Sequence, residues 1–183
     1  MERSTASPIR NKKRGLLNMK KLITHEELKE RLSYNQYTGE FTWLSLSSKR
    51  LHIEIGSIAG SLKRDGYVSI QVNKVAYKAH RLAWFCFYGI WPKEMIDHID
   101  GNKTNNSISN LREATRSENG QNQKKPTCKN KLGVLGVTLR DGKYEAKIKI
   151  NYKQFWLGSF ETIEEASNAY VSAKRELHPF GTL

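Results

Sequence analysis

Only two cysteines, Cys86 and Cys128, occur in 183 residues. They lie far apart and form no Cys-x-x-Cys pair, which argues against a zinc ribbon or finger and suits a reducing compartment. Long apolar runs are also missing: the stretch Leu82–Tyr88 falls far short of the roughly 18 residues that a membrane span requires. The first residues are basic, but no apolar core or small-residue cleavage site follows, so secretion is not expected and the reading is cytoplasmic. No internal repeat is present. Acidic residues are the minority, 18 against 31 lysines and arginines, which leaves a formal net charge of +13. A surplus that large favours a polyanionic partner: nucleic acid, an anionic membrane surface or an acidic protein.

The charge is unevenly spread. Residues 1–21 carry a net +6, residues 22–123 a net +2 and residues 124–183 a net +5. Both ends are basic and the middle is nearly balanced, a distribution that permits two small modules behind a flexible basic tail. Within that tail Lys12-Lys13-Arg14 offers nonspecific, salt-sensitive affinity for a polyanion, and Met19 is a second candidate start.

Ordered structure is expected from Thr24, where Thr24 and Glu27 form a capping box ahead of Leu28 and Leu32. Residues 37–43 read as a turn feeding a strand. Alternation over Tyr67–Val72, the turn Asn73-Lys74 and the return Val75–Ala79 predict a hairpin. His80–Tyr88 reads as a buried aromatic helix closed by Gly89. A dense polar segment, Met95–Gln123, follows; it contains the hairpin-turn pair Asp100-Gly101 and a second capping box, Thr115 with Glu118, and it predicts strand, loop and helix. Residues 124–134 read as a linker. Beyond it, three short strands and the capping box Thr162 with Glu165 predict a three-stranded antiparallel sheet packed on one amphipathic helix. The fold class is α+β.

The polar segment has the means to hydrolyse a phosphodiester. That chemistry needs charge stabilisation at the phosphate and leaving oxygen, and a base to activate water. A hard cation such as Mg²⁺ is held by one or two protein oxygens and keeps several waters. Asp97 offers a carboxylate oxygen, Asn119 an amide oxygen from a helix, and His98 an imidazole largely neutral at physiological pH. Adjacent residues on a regular strand face opposite ways, so Asp97 and His98 converge only if the strand ends or bends there. An EF-hand does not fit, because Gly101 follows Asp100 directly and Leu111 stands where the last loop glutamate belongs.

These residues resemble the HNH endonucleases, particularly the phage homing branch with its ββα-metal motif. The resemblance covers Tyr67 to Gln123 and rests on Ala79–Trp84, Ile96–Asn102, Asn105-Asn106, Ser109–Arg112 and Glu118-Asn119. It implies Asp97 and Asn119 as metal ligands for Mg²⁺ or another divalent ion such as Mn²⁺, His98 as general base, and Asn110 as the asparagine that braces the loop and orients the histidine. His80-Arg81 recurs in that branch, and Arg81 is a candidate phosphate contact or structural residue. His25, His52 and His178 have no such context.

Residues Leu135 to about Leu177 resemble the APETALA2-type DNA-binding domain of plant ethylene-response factors, through Gly136-Val137, Gly142–Ile148, Trp156–Phe160 and Glu164–Tyr170. Alternation turns Tyr144, Ala146 and Ile148 toward the helix and leaves a basic outer face carrying Trp156. By this resemblance Arg140, Lys147, Lys149 and Trp156 contact double-stranded DNA. Lysines stand where the plant domains carry guanine-reading arginines, and lysine suits phosphate better than base edges.

The expectation is therefore a homing-type, metal-dependent DNA endonuclease, acting as a monomer without a small-molecule cofactor. A tail at 1–21, a nuclease region at 22–123 with its core at 67–123, a linker at 124–134 and a DNA-binding domain at 135–183 divide the chain. A noncatalytic DNA-binding regulator and a restriction or repair nuclease are the alternatives. Loss of residues 133–183 is expected to leave the metal site intact.

Overall fold

The computed structural model describes residues 22–46 and 53–182. The basic segment 1–21, with its Lys12–Arg14 cluster and Met19, lies outside the described residues, as does His52. Within them the fold is α+β. In chain order the elements are α1 (His25–Arg31), β1 (Leu32–Tyr34), β2 (Phe41–Trp43), β3 (Ser61–Leu62), β4 (Val68–Val72), β5 (Val75–Lys78) and α2 (Ala79–Tyr88). They continue as β6 (Met95–His98), β7 (Leu111–Ala114), α3 (Arg116–Gln121), β8 (Val137–Arg140), β9 (Lys143–Ile150), β10 (Lys153–Phe160) and α4 (Ile163–Leu177). No helix among the described residues is long and apolar enough to cross a membrane.

Local chemistry sets the element ends. Thr24, Thr115 and Thr162 each accept the N–H three residues on, while Glu27, Glu118 and Glu165 return to the cap N–H. Each box satisfies two backbone donors that a helix start otherwise leaves orphaned. Asn73 and Lys74 take φ of 49° and 64°, the mirror-image turn whose twist matches β4 and β5. Gly89 ends α2 in the left-handed region, and its N–H donates to the Phe85 carbonyl.

One core gathers Leu28, Leu32, Phe41, Ile70, Val72, Leu82 and other buried side chains from α1 through β7. Fully burying an aliphatic side chain such as Leu82 contributes about 1.5–3 kcal/mol. A smaller core of Val137, Ala146 and Ala166 lies between the antiparallel sheet β8-β9-β10 and α4. In that sheet Trp156 pairs with Lys147 and Gly158 with Ala146, so Leu157 is the extra residue of a bulge. The bulge leaves Trp156 outward and exposed while Leu157 packs on the second core. Part of the predicted linker belongs to this module: Leu132 and Val134 pack on the same core, and the Asn130 side chain donates to the carbonyls of Val134 and Val137.

The polar segment holds one strand more than the sequence predicts. β6 and β7 pair antiparallel, with Asp97 opposite Arg112 and His98 opposite Leu111, and α3 follows. Asp100-Gly101 is a turn, with Gly101 N–H on the His98 carbonyl, but it does not join the strands. Asp100 instead accepts from the Asn102 N–H and from the Asn105 and Asn110 amides, and this turns the intervening residues into a wide polar loop.

Candidate active site

Asp97, His98 and Asn119 line one cleft of about 610 Å³, rimmed by Lys103, Lys124 and Lys125 and walled on one side by Tyr67. β6 ends at His98, and this is why its last two side chains reach the same space. α3 brings Asn119 from the facing side in its first turns; its side chain makes no hydrogen bond among the described residues.

His98 is buried, and its Nε2 lies 3.1 Å from Asn106 Oδ1. The Asn106 amide is oriented by its own NH₂, which donates to the Thr104 carbonyl, so oxygen faces the ring. Nε2 therefore carries the proton and donates, leaving the Nδ1 lone pair as the basic site. Burial pushes the His98 pKa below its ordinary 6.5, against the raising effect of the Asn106 bond and of Asp100 and Asp97. The imidazole is kept as a neutral base. Asn110 does not touch the ring: its amide accepts from Asp100 N–H and donates to Asp100 Oδ1 and the Asn105 carbonyl, bracing the loop.

The N-terminal hairpin holds this loop from outside. Tyr34 donates its hydroxyl to the Asn106 carbonyl, and Ile108 N–H reaches the Gln36 carbonyl. Gly39, at φ 76°, lies so close that a Cβ would meet the Asn106 and Ser107 backbone at 2.3 Å. Only glycine serves both the turn and that approach.

Asp97 is 5 % exposed and heavily bonded. Arg112 Nε and Nη2 both donate to Oδ2, at 3.0 and 2.8 Å, and Asn122 Nδ2 lies 3.1 and 3.2 Å from the two oxygens. The cross-strand register puts Arg112 opposite Asp97. Oδ1 receives a single weak donor and keeps lone pairs for a hard cation. Among the described residues no group of three or more His, Cys, Asp or Glu gathers as a metal site. The available donors are one carboxylate oxygen and one amide oxygen, a set that fits Mg²⁺ or Mn²⁺ with retained waters and not a closed zinc site.

Behind the base, His80 packs edge-on to His98 at 5.2 Å between centroids, and Tyr67 lies 5.1 Å from His80. His80 Nδ1 is buried without a hydrogen-bond partner among the described residues. Burial, with the neighbouring His98 and Arg81, lowers the His80 pKa to about 3. The sign follows: the fold admits only the neutral ring, so this contribution is whole above pH 6.5 and is lost as pH falls toward 3. At pH 5 the loss is about 2 kcal/mol, 1.5 pH units at roughly 1.4 kcal/mol each. Urea midpoints at pH 7.5 and 5.0 will show it, and His80→Phe will reduce the difference, leaving the part that the buried His98 and His178 rings contribute with the same sign. An equal pH slope in the variant would mean that another group unfolds the protein in acid.

The remaining candidates are dispersed. Arg81 donates to the carbonyls of Pro92 and Glu94, so its guanidinium ties down the loop after α2. Arg140, Lys147 and Trp156 lie on the outward face of the β8-β9-β10 sheet, with Lys147 paired to Glu145 and Arg140 near Asp141. Lys149 shares that face, and its ammonium sits 5.8 Å from the Tyr152 ring. His25 and His178 bond the carbonyls of Cys86 and Lys149. Sequence reasoning assigned no role to Asn106, Arg112 or Asn122. Their signal lies in tertiary register, apart from Asn122, which follows Asn119 by nearly one helical turn.

The family model described as HNH endonuclease matches residues 77–121, the span from β5 through α3. An uncharacterized HNH endonuclease of Acanthamoeba polyphaga mimivirus is 32 % identical over 142 residues, covering 76 % of this chain and 71 % of its own length. Protein 3.8 of Escherichia phage T7 is 34 % identical over 111 residues, 57 % of this chain and 90 % of its own. No solved structure matches. The chain belongs to the HNH endonuclease family, a family of nuclease hydrolases.

Proposed function

We propose that the protein is a homing-type DNA endonuclease that cuts one strand of double-stranded DNA per engagement and depends on a divalent metal ion. The observation that carries this reading is the grouping of a neutral, oriented His98 with the oxygens of Asp97 and Asn119 in one cation-rimmed cleft. The similarity to a viral protein named as an HNH endonuclease supports it.

Asp97 and Asn119 are the residues that would hold Mg²⁺ or Mn²⁺, and the ion supplies charge stabilisation for the phosphate and the leaving 3′ oxygen. His98 Nδ1 accepts the proton of the attacking water, and the Nε2–H bond to Asn106 keeps the ring aimed as it becomes charged. Asn110 braces the loop that carries Asn106. Lys103, Lys124 and Lys125 give the cleft a positive field that draws in the phosphodiester backbone. The β8-β9-β10 sheet, in its likeness to APETALA2-type domains, enters the major groove, with Arg140, Lys147, Lys149 and Trp156 as contacts.

The test is cleavage of a mixed genomic DNA library by purified protein with Mg²⁺, mapping ends on both strands. Recurrent ends at one sequence, abolished by EDTA and restored by added Mg²⁺, are expected. DNA left intact, while the protein still binds it, would make the chain a noncatalytic DNA-binding protein.

A further inference from the structure

The segment that follows α4 does not stay with its own module. His178 turns back, and Phe180 to Thr182 run along α3 and the end of β6. The Phe180 carbonyl accepts from Arg112 Nη2, and the Arg112 guanidinium lies 4.6 Å from the Phe180 ring centroid. Phe180 N–H donates to Gln121 Oε1 at 3.3 Å. Thr182 gives its N–H to Asn122 Oδ1 at 3.2 Å, and its hydroxyl proton is shared between Asn122 Oδ1 at 2.6 Å and the Ile99 carbonyl at 2.9 Å. Lys174, 2 % exposed, joins α4 to the end of α3 through the Gln123 carbonyl at 2.8 Å.

Both groups that hold Asp97 are thus held in turn by this segment. Arg112 is gripped between the Asp97 carboxylate and Phe180. Asn122 presents its NH₂ to Asp97 and its oxygen to Thr182. The Asn122 NH₂ also donates to the His98 and Ile99 carbonyls, at 2.8 and 3.3 Å, so the Thr182 donors on its oxygen complete the set that keeps this NH₂ toward Asp97; a flipped amide would set Oδ1 against the carboxylate, a repulsive contact. An Arg112 freed from Phe180 could swing across to Oδ1, the oxygen a metal needs.

We infer that Phe180 and Thr182 are positioning residues for the metal-binding carboxylate: by fixing Arg112 and Asn122 they fix Asp97. The docking of the DNA-binding module on α3 is then part of what makes the cleft competent to take a divalent cation. This rests on the metal-dependent reading above. It replaces the expectation of a metal site indifferent to residues 133–183, because the segment reaches within one side chain of Asp97.

The experiment is Mn²⁺ binding by isothermal titration calorimetry to the full chain and to Thr182→Val, Thr182→Ser and Phe180→Ala, with melting temperatures recorded in parallel. Residues that orient a metal ligand typically cost 10–100-fold in affinity when lost. Thr182→Val is expected to weaken Mn²⁺ by about 10-fold or more and Phe180→Ala, which removes the ring over the guanidinium but keeps the carbonyl, by a smaller factor, while Thr182→Ser, which keeps the hydroxyl, stays within roughly 2-fold of wild type. Unchanged Mn²⁺ affinity in Thr182→Val and Phe180→Ala overturns the inference. So does an equal loss in Thr182→Ser and Thr182→Val, since the effect would then come from packing and not from the hydrogen bond. Failure of the wild type itself to bind Mn²⁺ overturns the metal reading, and this inference falls with it.

Discussion

His98→Ala is expected to cut the rate of Mg²⁺-dependent DNA cleavage by roughly 10²–10⁴-fold, the usual worth of a positioned general base. DNA affinity should stay near wild type, because the ring faces the cleft interior and its Nε2 is committed to Asn106. Single-turnover cleavage of a supercoiled plasmid, with a gel-shift assay run beside it, separates the two quantities. The pH profile carries a second mark of the same group. Burial holds the His98 pKa below 6.5, so the base stays neutral and active into mildly acid buffer. The acid limb of kcat should therefore fall below pH 6.5, and His98→Ala should remove it. A full-rate His98→Ala enzyme, or an acid limb centred above 6.5, would take the base role away from this residue.

What could be read from the chain before its structure divides along a physical line. The capping boxes at Thr24, Thr115 and Thr162 are local hydrogen-bonding patterns, and each helix begins where its box lies. The Asn73-Lys74 hairpin and the alternation on β9 are equally local, as is the termination of α2 at Gly89. β7 was not legible, because Leu111-Arg112-Glu113-Ala114 has no β-branched residue and no alternation; it is a strand because β6 supplies its partner. Once β7 is absent from the expectation, so is the register that sets Arg112 against Asp97. The Asp100-Gly101 pair misled in a related way, since its hairpin signal is overridden by the Asp100 carboxylate caging Asn102, Asn105 and Asn110.

The candidate site shows the same division. Asp97, His98, Asn110 and Asn119 were nominated by a motif, and the first, second and fourth line one cleft. Convergence of Asp97 and His98 turned on whether β6 ended there, a question of strand length that alternation alone leaves open. The ring's partner, Asn106, comes from a different part of the loop than Asn110, because the loop folds back between them. The reach of Phe180 and Thr182 into the site spans 60 residues or more of sequence, beyond any local signal.

Asp97 gives the second large effect, and two substitutions pull its roles apart. Asp97→Ala removes an acceptor that Arg112 and Asn122 share, leaving a part-buried guanidinium with the Phe180 carbonyl alone and a buried amide with the His98 and Ile99 carbonyls alone. Stability should fall by about 2–3 kcal/mol, below the figure for a fully buried pair because the Arg112 side chain is 24 % exposed. Cleavage should drop to the level seen in EDTA. Asp97→Asn keeps an oxygen for Arg112 in the same volume, so the melting temperature should stay closer to wild type while cleavage is still lost. The neutral amide gives up the charge that attracts a divalent ion, and only that loss bears on the chemistry. The comparison is made by plasmid cleavage, Mn²⁺ calorimetry and thermal unfolding of both variants. An Asp97→Asn protein that cuts at the wild-type rate would mean that Asp97 serves the fold through Arg112 and that the divalent ion is held elsewhere.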